Sequence, residues 1–441
     1  VRVLERVERA RAFADLSLHH ALARSALSGP DRALATELVY GTLRWRGRLD
    51  ALLSRLLERD LEQLDPMVRS ALRIGAYQLL FARVPPTAAV DQAVRCTRAL
   101  GAERATGLVN AVLRRLARDH AKLAPPSLES DPVAHLCEGL SLPRWIAERW
   151  LEIYGPGEAA ALARACNDPP RLTVRANRTR TQRAALLGRL RETFPEARAC
   201  TWASSGIALG RRGDPARDPA FLSGDYTVQD EASQAVIDLL DPQPGDRVLD
   251  TCAAPGTKST GIAERVGEAG DVLALDRHPR RLQLVTRDAR RLGLANLRTL
   301  QRDATRALDD VVASDGPFDR VLVDPPCTGL GVLRRNPDAR WRVRPGDPPE
   351  LARTQRAILA SAAATLRVGG RLVYSTCTLL PEENEAVVGD FLDDFPGFAL
   401  QPPEALPARL APLLDPAGFL RCLPHRHDTD GFFAACLERR A

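Results

Sequence analysis

The sequence predicts a multidomain chain: an all-helical N-terminal region, a small α+β unit, and a C-terminal α/β domain on a mostly parallel sheet. Three observations carry this reading. Apolar residues recur at helical spacing through about residue 120, a short alternating segment follows a Pro-rich break, and from Pro244 onward strand-like and helix-like stretches alternate. A length of 441 residues exceeds one ordinary core and agrees with two to four domains.

The helical region, placed at residues 1–125, contains the stretches ALATELVYGTL, LDALLSRLL, VRSALRIGAYQLLF, AAVDQAVRCTRAL and GLVNAVLRRLA. Ser28-Gly29-Pro30, Asp65-Pro66 and Pro85-Pro86 each stop one helix and start the next. The segment KLAPPSLESDP has little periodicity, and a linker is placed at 126–140. A small unit at 141–235 holds the helical PRWIAERWLEIYG, the strand-like RLTVRAN, the helix-like TQRAALLGRLRETF and strand pieces around Ile207–Leu209. The domain at 236–441 then alternates RVLD, a helix near 257–266, DVLALD, a helix near 279–292, LRTLQ, FDRVLV, a helix near 350–366 and RLVYST. Such βαβ sheets bind ligands at the carboxyl ends of their strands.

Hydrophobic content of 45% and charged content of 27% are those of an ordinary globular chain, and no apolar run approaches the roughly 20 residues of a membrane helix. The charged, helical start VRVLERVERARAFADL does not read as a secretory signal. Nine cysteines, an odd number without metal-type spacing, imply free thiols in a reducing cytoplasm. The net charge is +6, and residues 1–120 carry 20 arginines against 13 acidic residues, so the basic excess is N-terminal and suits a nucleic-acid partner or a solvated helical surface. Only two of the 62 basic residues are lysines, Lys122 and Lys258, in a chain that otherwise uses arginine.

The strand ends hold the chemistry. After the first comes Asp250-Thr251-Cys252-Ala253-Ala254-Pro255-Gly256-Thr257-Lys258, a turn of small residues that lets backbone approach a ligand; neither the dinucleotide fingerprint nor the P-loop pattern can be drawn through it. Asp276 ends the second strand, where it accepts ribose hydroxyls or caps the next helix. Asp303 follows the third, suited to an adenine amino group or again to a cap. The fourth gives Asp324-Pro325-Pro326-Cys327, and the fifth Tyr374-Ser375-Thr376-Cys377. A lone strand-end cysteine is usually a small buried hydrophobe. Two thiols converging beside a carboxylate suit more demanding chemistry. Carbon 5 of a pyrimidine becomes nucleophilic once a thiolate adds to carbon 6, and can then attack a methyl sulfonium. That reaction needs a proton donor at N3, which fits Asp324, and a base for the carbon 5 hydrogen, which fits Cys327 or a nearby water. Amino-group methylation would place an aromatic after Asp324-Pro325-Pro326, where this chain has Cys327. A disulfide between the two thiols is disfavoured by the lack of C-x-x-C spacing.

On LVYGTLR, LVNAVLRRL, QDEASQ, LDTCAAPGTK, LALDRH, DPPCTGLG, YSTCTLLPEENE and DGFFAACLER, the chain resembles bacterial 16S ribosomal RNA cytosine-C5 methyltransferases of the Sun/Fmu type, with an N-terminal domain similar to NusB. The resemblance spans nearly the whole chain. It implies a NusB-like RNA-binding domain, an RRM-like α+β unit for RNA docking and a Rossmann-like catalytic domain. It implies S-adenosyl-L-methionine surrounded by Cys252 to Lys258, Asp276, Asp303 and Asp324, with Cys377 as nucleophile and Cys327 aiding product release. The implied partner is 16S ribosomal RNA at a loop or single-stranded site, with no membrane, metal or obligate protein partner. Thr257 stands where glycine is usual, and Pro326 fills the variable slot of the D-x-P-C-type motif. The rival class is an RNA-binding ribosome assembly factor that keeps the fold without turnover.

Three further features complete the reading. Gln229-Asp230-Glu231 opens a helix with favourable acidic charge. His425, His427, Asp428 and Asp430 read as a turn rather than a metal cluster. Arg44, Trp45, Arg46 and Arg48 form a basic-aromatic row suited to RNA or to an exposed helix end.

Overall fold

A computed structural model describes residues 1–82, 84–210 and 215–441. The chain divides into two compact units, Val1–Asp168 together with Leu333–Arg344, and Pro169–Val332 together with Pro345–Ala441.

The first unit is helical, and its breaks fall where local chemistry demands them. The helix Gly29–Ser54 starts on Ser28, whose Oγ accepts from the Asp31 amide, and Pro66–Leu80 starts on Asp65, which accepts from the Met67 amide at 2.8 Å. Together with Pro86–Ala99 and Thr106–Asp119 these helices bury Leu49, Leu53, Leu72, Leu113 and Leu116 completely. Each such side chain contributes about 1.5–3 kcal/mol of burial. The helix Arg144–Asn167, read from sequence as the head of the small α+β unit, lies within this first unit. So does the remote segment Leu333–Arg344, held by Arg340. That side chain is wholly buried and donates to the carbonyls of Arg44, Ser141 and Cys166 and to Asn167 Oδ1 at 2.9–3.2 Å. Trp341 Nε1 adds a bond to the Leu43 carbonyl at 2.7 Å.

The second unit contains two sheets. Strands β1 (Leu172–Ala176), β2 (Arg198–Ala199), β3 (Gly206–Gly210) and β4 (Tyr226–Val228) form an antiparallel sheet in the order β2-β3-β1-β4. The helix Arg183–Thr193 packs Leu186 and Leu190 against Val174, Ile207 and Tyr226 of this sheet. The larger sheet is built from β5 (Arg247–Asp250), β6 (Asp271–Asp276), β7 (Leu297–Gln301), β8 (Phe318–Val323), β9 (Leu366–Thr376), β10 (Phe398–Leu400), β11 (Leu420–Cys422) and β12 (Phe432–Arg439). Its order is β10-β12-β9-β8-β5-β6-β7, with β11 paired to β12. Strands β5 to β9 pair in parallel, and β12 runs antiparallel to β9.

The period of two explains how both faces of that sheet are covered. Val248, Val272, Leu322 and Val373 point to the helices Glu231–Leu240 and Thr257–Val266, while Leu249, Leu273, Val321 and Leu372 point to Asp347–Ala364 and Glu385–Asp394. Strand β5 lies between β6 and β8, so the chain reverses its winding beside β5 and leaves a crevice at the strand ends there.

Candidate active site

The loop after β5 is tightly constrained. Gly256 has φ of 111°, where any side-chain-bearing residue is strained, and a Cβ there would press on Val285 Cα at 3.0 Å. The Thr251 amide donates to the Leu322 carbonyl at 3.0 Å and the Ala253 amide to the Leu275 carbonyl at 2.8 Å. Asp250 lies beneath the loop and accepts from Ser259 Oγ at 2.7 Å. Complete burial pushes its pKa up to about 6 in spite of that bond. From below, Arg175 of β1, itself buried, donates to the Thr257 carbonyl and to Thr260 and pairs with Glu264 at 2.8 Å, while Gln229 accepts from the same guanidinium. The small sheet is thereby tied to the first turn of the helix that follows the loop.

A cavity of about 250 Å³ opens at these strand ends. Of the residues read from the sequence, Cys252, Ala254, Asp276, Asp303, Asp324, Cys327 and Cys377 line it. Ala253 and Ala254 pack against Leu282 and Val285. Asp276 accepts from the His278 amide at 2.8 Å through one oxygen and pairs with Arg281 at 3.3 Å through the other while lining the cavity; it does not cap the next helix, which starts on His278 without a side-chain cap bond. Asp303 accepts from the hydroxyl and amide of Thr305 at 2.8 and 3.0 Å, bonds that hold its pKa below the usual range. Arg277, Arg281, Arg302, Thr354 and Ile358 also line the cavity and were missed. Thr354 and Ile358 lie mid-helix, one turn apart, and only the crossover of Asp347–Ala364 brings them here.

The two thiols meet. Cys327 Sγ and Cys377 Sγ are 3.2 Å apart, joined from loops fifty residues apart because β8 and β9 are adjacent. The contact with Cys377 and burial together hold the Cys327 thiol well above its ordinary range. Beside them Asp324 accepts from Lys258 Nζ at 2.7 Å and from Ser375 Oγ at 2.8 Å, which occupies both carboxylate oxygens. Burial works against the charge on Lys258, but the Asp324 carboxylate outweighs it and the pKa rises, so the group is an ammonium. Its nitrogen lies 5.2 Å over the Phe432 ring. Lys258 therefore points at Asp324 and the thiols and is absent from the cavity lining.

The basic-aromatic row of the helical unit resolves differently from its sequence reading. Arg44 is buried and donates to the Arg334 carbonyl at 2.8 Å, Arg46 pairs with Glu8 at 3.1 Å and with Asp50 at 3.5 Å, and Trp45 stacks on Phe81 at 4.5 Å. The row is largely spent on packing. The Gln229-Asp230-Glu231 reading stands as a helix start: Asp230 caps the helix through the Ala232 amide at 2.9 Å.

An open, mostly parallel sheet with a strand-end cavity beside its winding reversal defines a Rossmann-like methyltransferase domain, preceded here by helical and ferredoxin-like parts. The chain belongs to the family described as 16S rRNA methyltransferase RsmB/F, which it matches over residues 237–438. Residues 1–118 match the NusB family and 142–214 the ferredoxin-like domain of RsmF/B-like methyltransferases. The ribosomal RNA small subunit methyltransferase B of Pseudomonas syringae pv. tomato is 38% identical over 420 residues, covering 93% of this chain and 90% of that protein. Its Pseudomonas putida counterpart is 38% identical over 368 residues, covering 83% and 82%. Among solved structures, PH0851 superposes with a TM-score of 0.81 at 27% identity over 99% of this chain and 97% of that one. A methyltransferase homolog protein from Pyrococcus horikoshii gives 0.60 at 28% identity over 70% and 98%. Among the described residues no helix is long and apolar enough to cross a membrane.

Proposed function

We propose that this protein transfers a methyl group from S-adenosyl-L-methionine to carbon 5 of a cytosine in 16S ribosomal RNA, through a covalent bond between Cys377 and carbon 6, and does so in the cytoplasm. The observation that carries the reading is the 3.2 Å approach of Cys327 to Cys377 beside the Lys258–Asp324 pair, at one edge of the strand-end cavity. The cavity suits the cofactor: Asp276 and Asp303 offer acceptors for ribose hydroxyls and an adenine amino group, and Ile358 and Pro326 offer apolar walls for a ring. When bound there, the cofactor supplies an electrophilic methyl group.

The chain's own residues account for the rest. A cytosine turned out of a loop or single strand enters at the lowest unpairing cost. Cys377 adds as thiolate to carbon 6, and the electron density reaching N3 is met by the Lys258–Asp324 pair. Asp324 is the acceptor in its bonds from Lys258 and Ser375, so the proton offered to N3 comes from the ammonium or through it, and it returns by the same route as carbon 5 gains its methyl group and the C4–N3 double bond re-forms. For release, protonated Cys327 gives its proton to the departing Cys377 sulfur and takes the carbon 5 proton, directly or through a water. The C–H pair forms the C5–C6 double bond and the S–C6 pair returns to sulfur. Holding thiols, carboxylate and base in place supplies roughly 7–11 kcal/mol, far more than the ~1.4 kcal/mol of one pKa unit of thiol activation.

Incubation with labelled S-adenosyl-L-methionine and unmethylated 16S RNA is expected to label one cytosine at carbon 5. Cys377→Ser abolishes labelling; undiminished activity in that variant sinks the reading. Cys327→Ala accumulates a denaturation-resistant protein–RNA adduct, and clean turnover there removes its release role.

A further inference from the structure

We propose that Glu383, with Gln355, is a positioning residue for Cys327, clasping the peptide on both sides of that thiol and so governing release of the covalent RNA adduct; this rests on the function proposed above. The two thiols are held by different residues, and Asn384 serves Cys377, accepting from the Thr376 hydroxyl and donating to the Thr378 carbonyl at 3.2 Å. Cys377 follows directly on β9, and its carbonyl accepts from the Gly331 amide at 2.8 Å. Cys327 lies in a turn beyond β8, and its flanks are held by side chains. Gln355 Nε2 donates to the Pro326 carbonyl at 3.0 Å, and the Thr328 amide donates to Glu383 Oε2 at 2.9 Å. The Thr328 hydroxyl donates to Glu383 Oε1 at 2.5 Å and lies 2.7 Å from the Thr378 hydroxyl, one residue beyond Cys377. Gln355 Nε2 bonds Glu383 Oε2 at 3.0 Å, and Tyr374 Oη donates to the Glu383 carbonyl at 2.6 Å. Glu383 and Gln355 are completely buried.

A carboxylate in that place with three donors around it costs desolvation energy that an apolar core would not. Burial indeed raises the Glu383 pKa, against the pull of those hydrogen bonds. The return is geometric: the carboxylate arrives on the Cys377 side, six residues on in the chain, and grips the Cys327 side. The distance between the sulfurs is therefore set by this clasp. Release requires both sulfurs within proton-transfer reach, whereas attack on carbon 6 requires only Cys377. Loss of the clasp should thus harm release more than attack.

The test uses the full chain, 16S RNA and labelled S-adenosyl-L-methionine, measuring turnover, the fraction of enzyme trapped as denaturation-resistant adduct, and cofactor Kd. Glu383→Ala is expected to lower turnover roughly tenfold to hundredfold, raise the trapped fraction toward that of Cys327→Ala, and leave cofactor Kd within about twofold. Glu383→Gln, which keeps one acceptor oxygen, restores part of the turnover. In a Cys327→Ala background Glu383→Ala should leave the rate of adduct formation unchanged, since the residue it positions is gone. Gln355→Met, which frees the Pro326 flank and removes one of the donors to Glu383 while leaving both Thr328 bonds to it, carries the same expectation at smaller size should Glu383→Ala fail to fold. Wild-type release in the variants overturns the inference, as does equal slowing of adduct formation with or without Cys327. If Cys327→Ala itself fails to trap adduct, the failure belongs to the proposed function.

Discussion

Two buried cations in this protein do opposite things. Arg340 in the helical unit is wholly enclosed and donates to four neutral acceptors, three of them carbonyls; burial, with a smaller push from the Arg44 charge, lowers its pKa to about 10. Lys258 in the second unit is enclosed almost as well, yet its ammonium bonds the Asp324 carboxylate beside two thiols. A guanidinium with five donors in a planar fork saturates a cluster of backbone oxygens and pins the segment around it. An ammonium held by one carboxylate keeps protons in hand for a ligand. Burial of charge therefore does not mark a functional site; the identity of the partner and the presence of a cavity beside it do.

Lys258→Met gives the largest expected effect: removal of the proton source should lower single-turnover methyl transfer about a thousandfold, equivalent to ~4 kcal/mol, with RNA binding retained. Near-normal transfer by this variant would reduce Lys258 to the status of Arg340. Arg340→Met should leave the acceptors unpaired and destabilise the helical unit by about 3 to 4 kcal/mol in denaturant unfolding. An unchanged midpoint would show that the segment Leu333–Arg344 is held by packing alone.

A smaller effect comes from Asp250, whose raised pKa has a definite sign. The folded protein binds its proton more tightly than the unfolded chain, so its contribution to stability is present below about pH 4 and lost as pH rises through about 6. Asp250→Asn should remove this dependence, worth about 2 to 3 kcal/mol across that interval, and parallel stability profiles for the two proteins would refute it. Smallest is Lys258→Arg, expected to cost about tenfold in turnover, or ~1.4 kcal/mol, because a planar fork does not fit where a point charge sits. Full activity with arginine would mean that charge alone matters at Asp324.

The legible parts of the molecule were those whose cause is local. Ser28, Asp65 and Asp230 cap helices at the breaks read from composition, since a side-chain oxygen near free amides needs nothing from the rest of the chain. Alternation in RVLD, DVLALD and FDRVLV marked strands, and chain direction placed Asp250, Asp276, Asp324, Cys327 and Cys377 at or beyond their carboxyl ends. What escaped was membership and partnership at a distance. Arg44 and Arg46 read as an RNA-facing row or an exposed helix end because their partners Arg334 and Glu8 lie 290 and 38 residues away. Thr354 and Ile358 carried no motif, and Glu383 lay in the PEENE stretch without a role until the fold brought Thr328 against it.

Sequence by itself determined the fold class, the helix starts, the strand ends and the residue types available there, because backbone propensity and side-chain period act within a few residues. Tertiary structure decided the strand order, the 3.2 Å meeting of the thiols, the choice of Asp324 as the partner of Lys258 and the inclusion of Leu333–Arg344 in the helical unit. Those outcomes depend on loop closure over fifty to three hundred residues, where the free energy is set by packing and desolvation of groups that no local window contains.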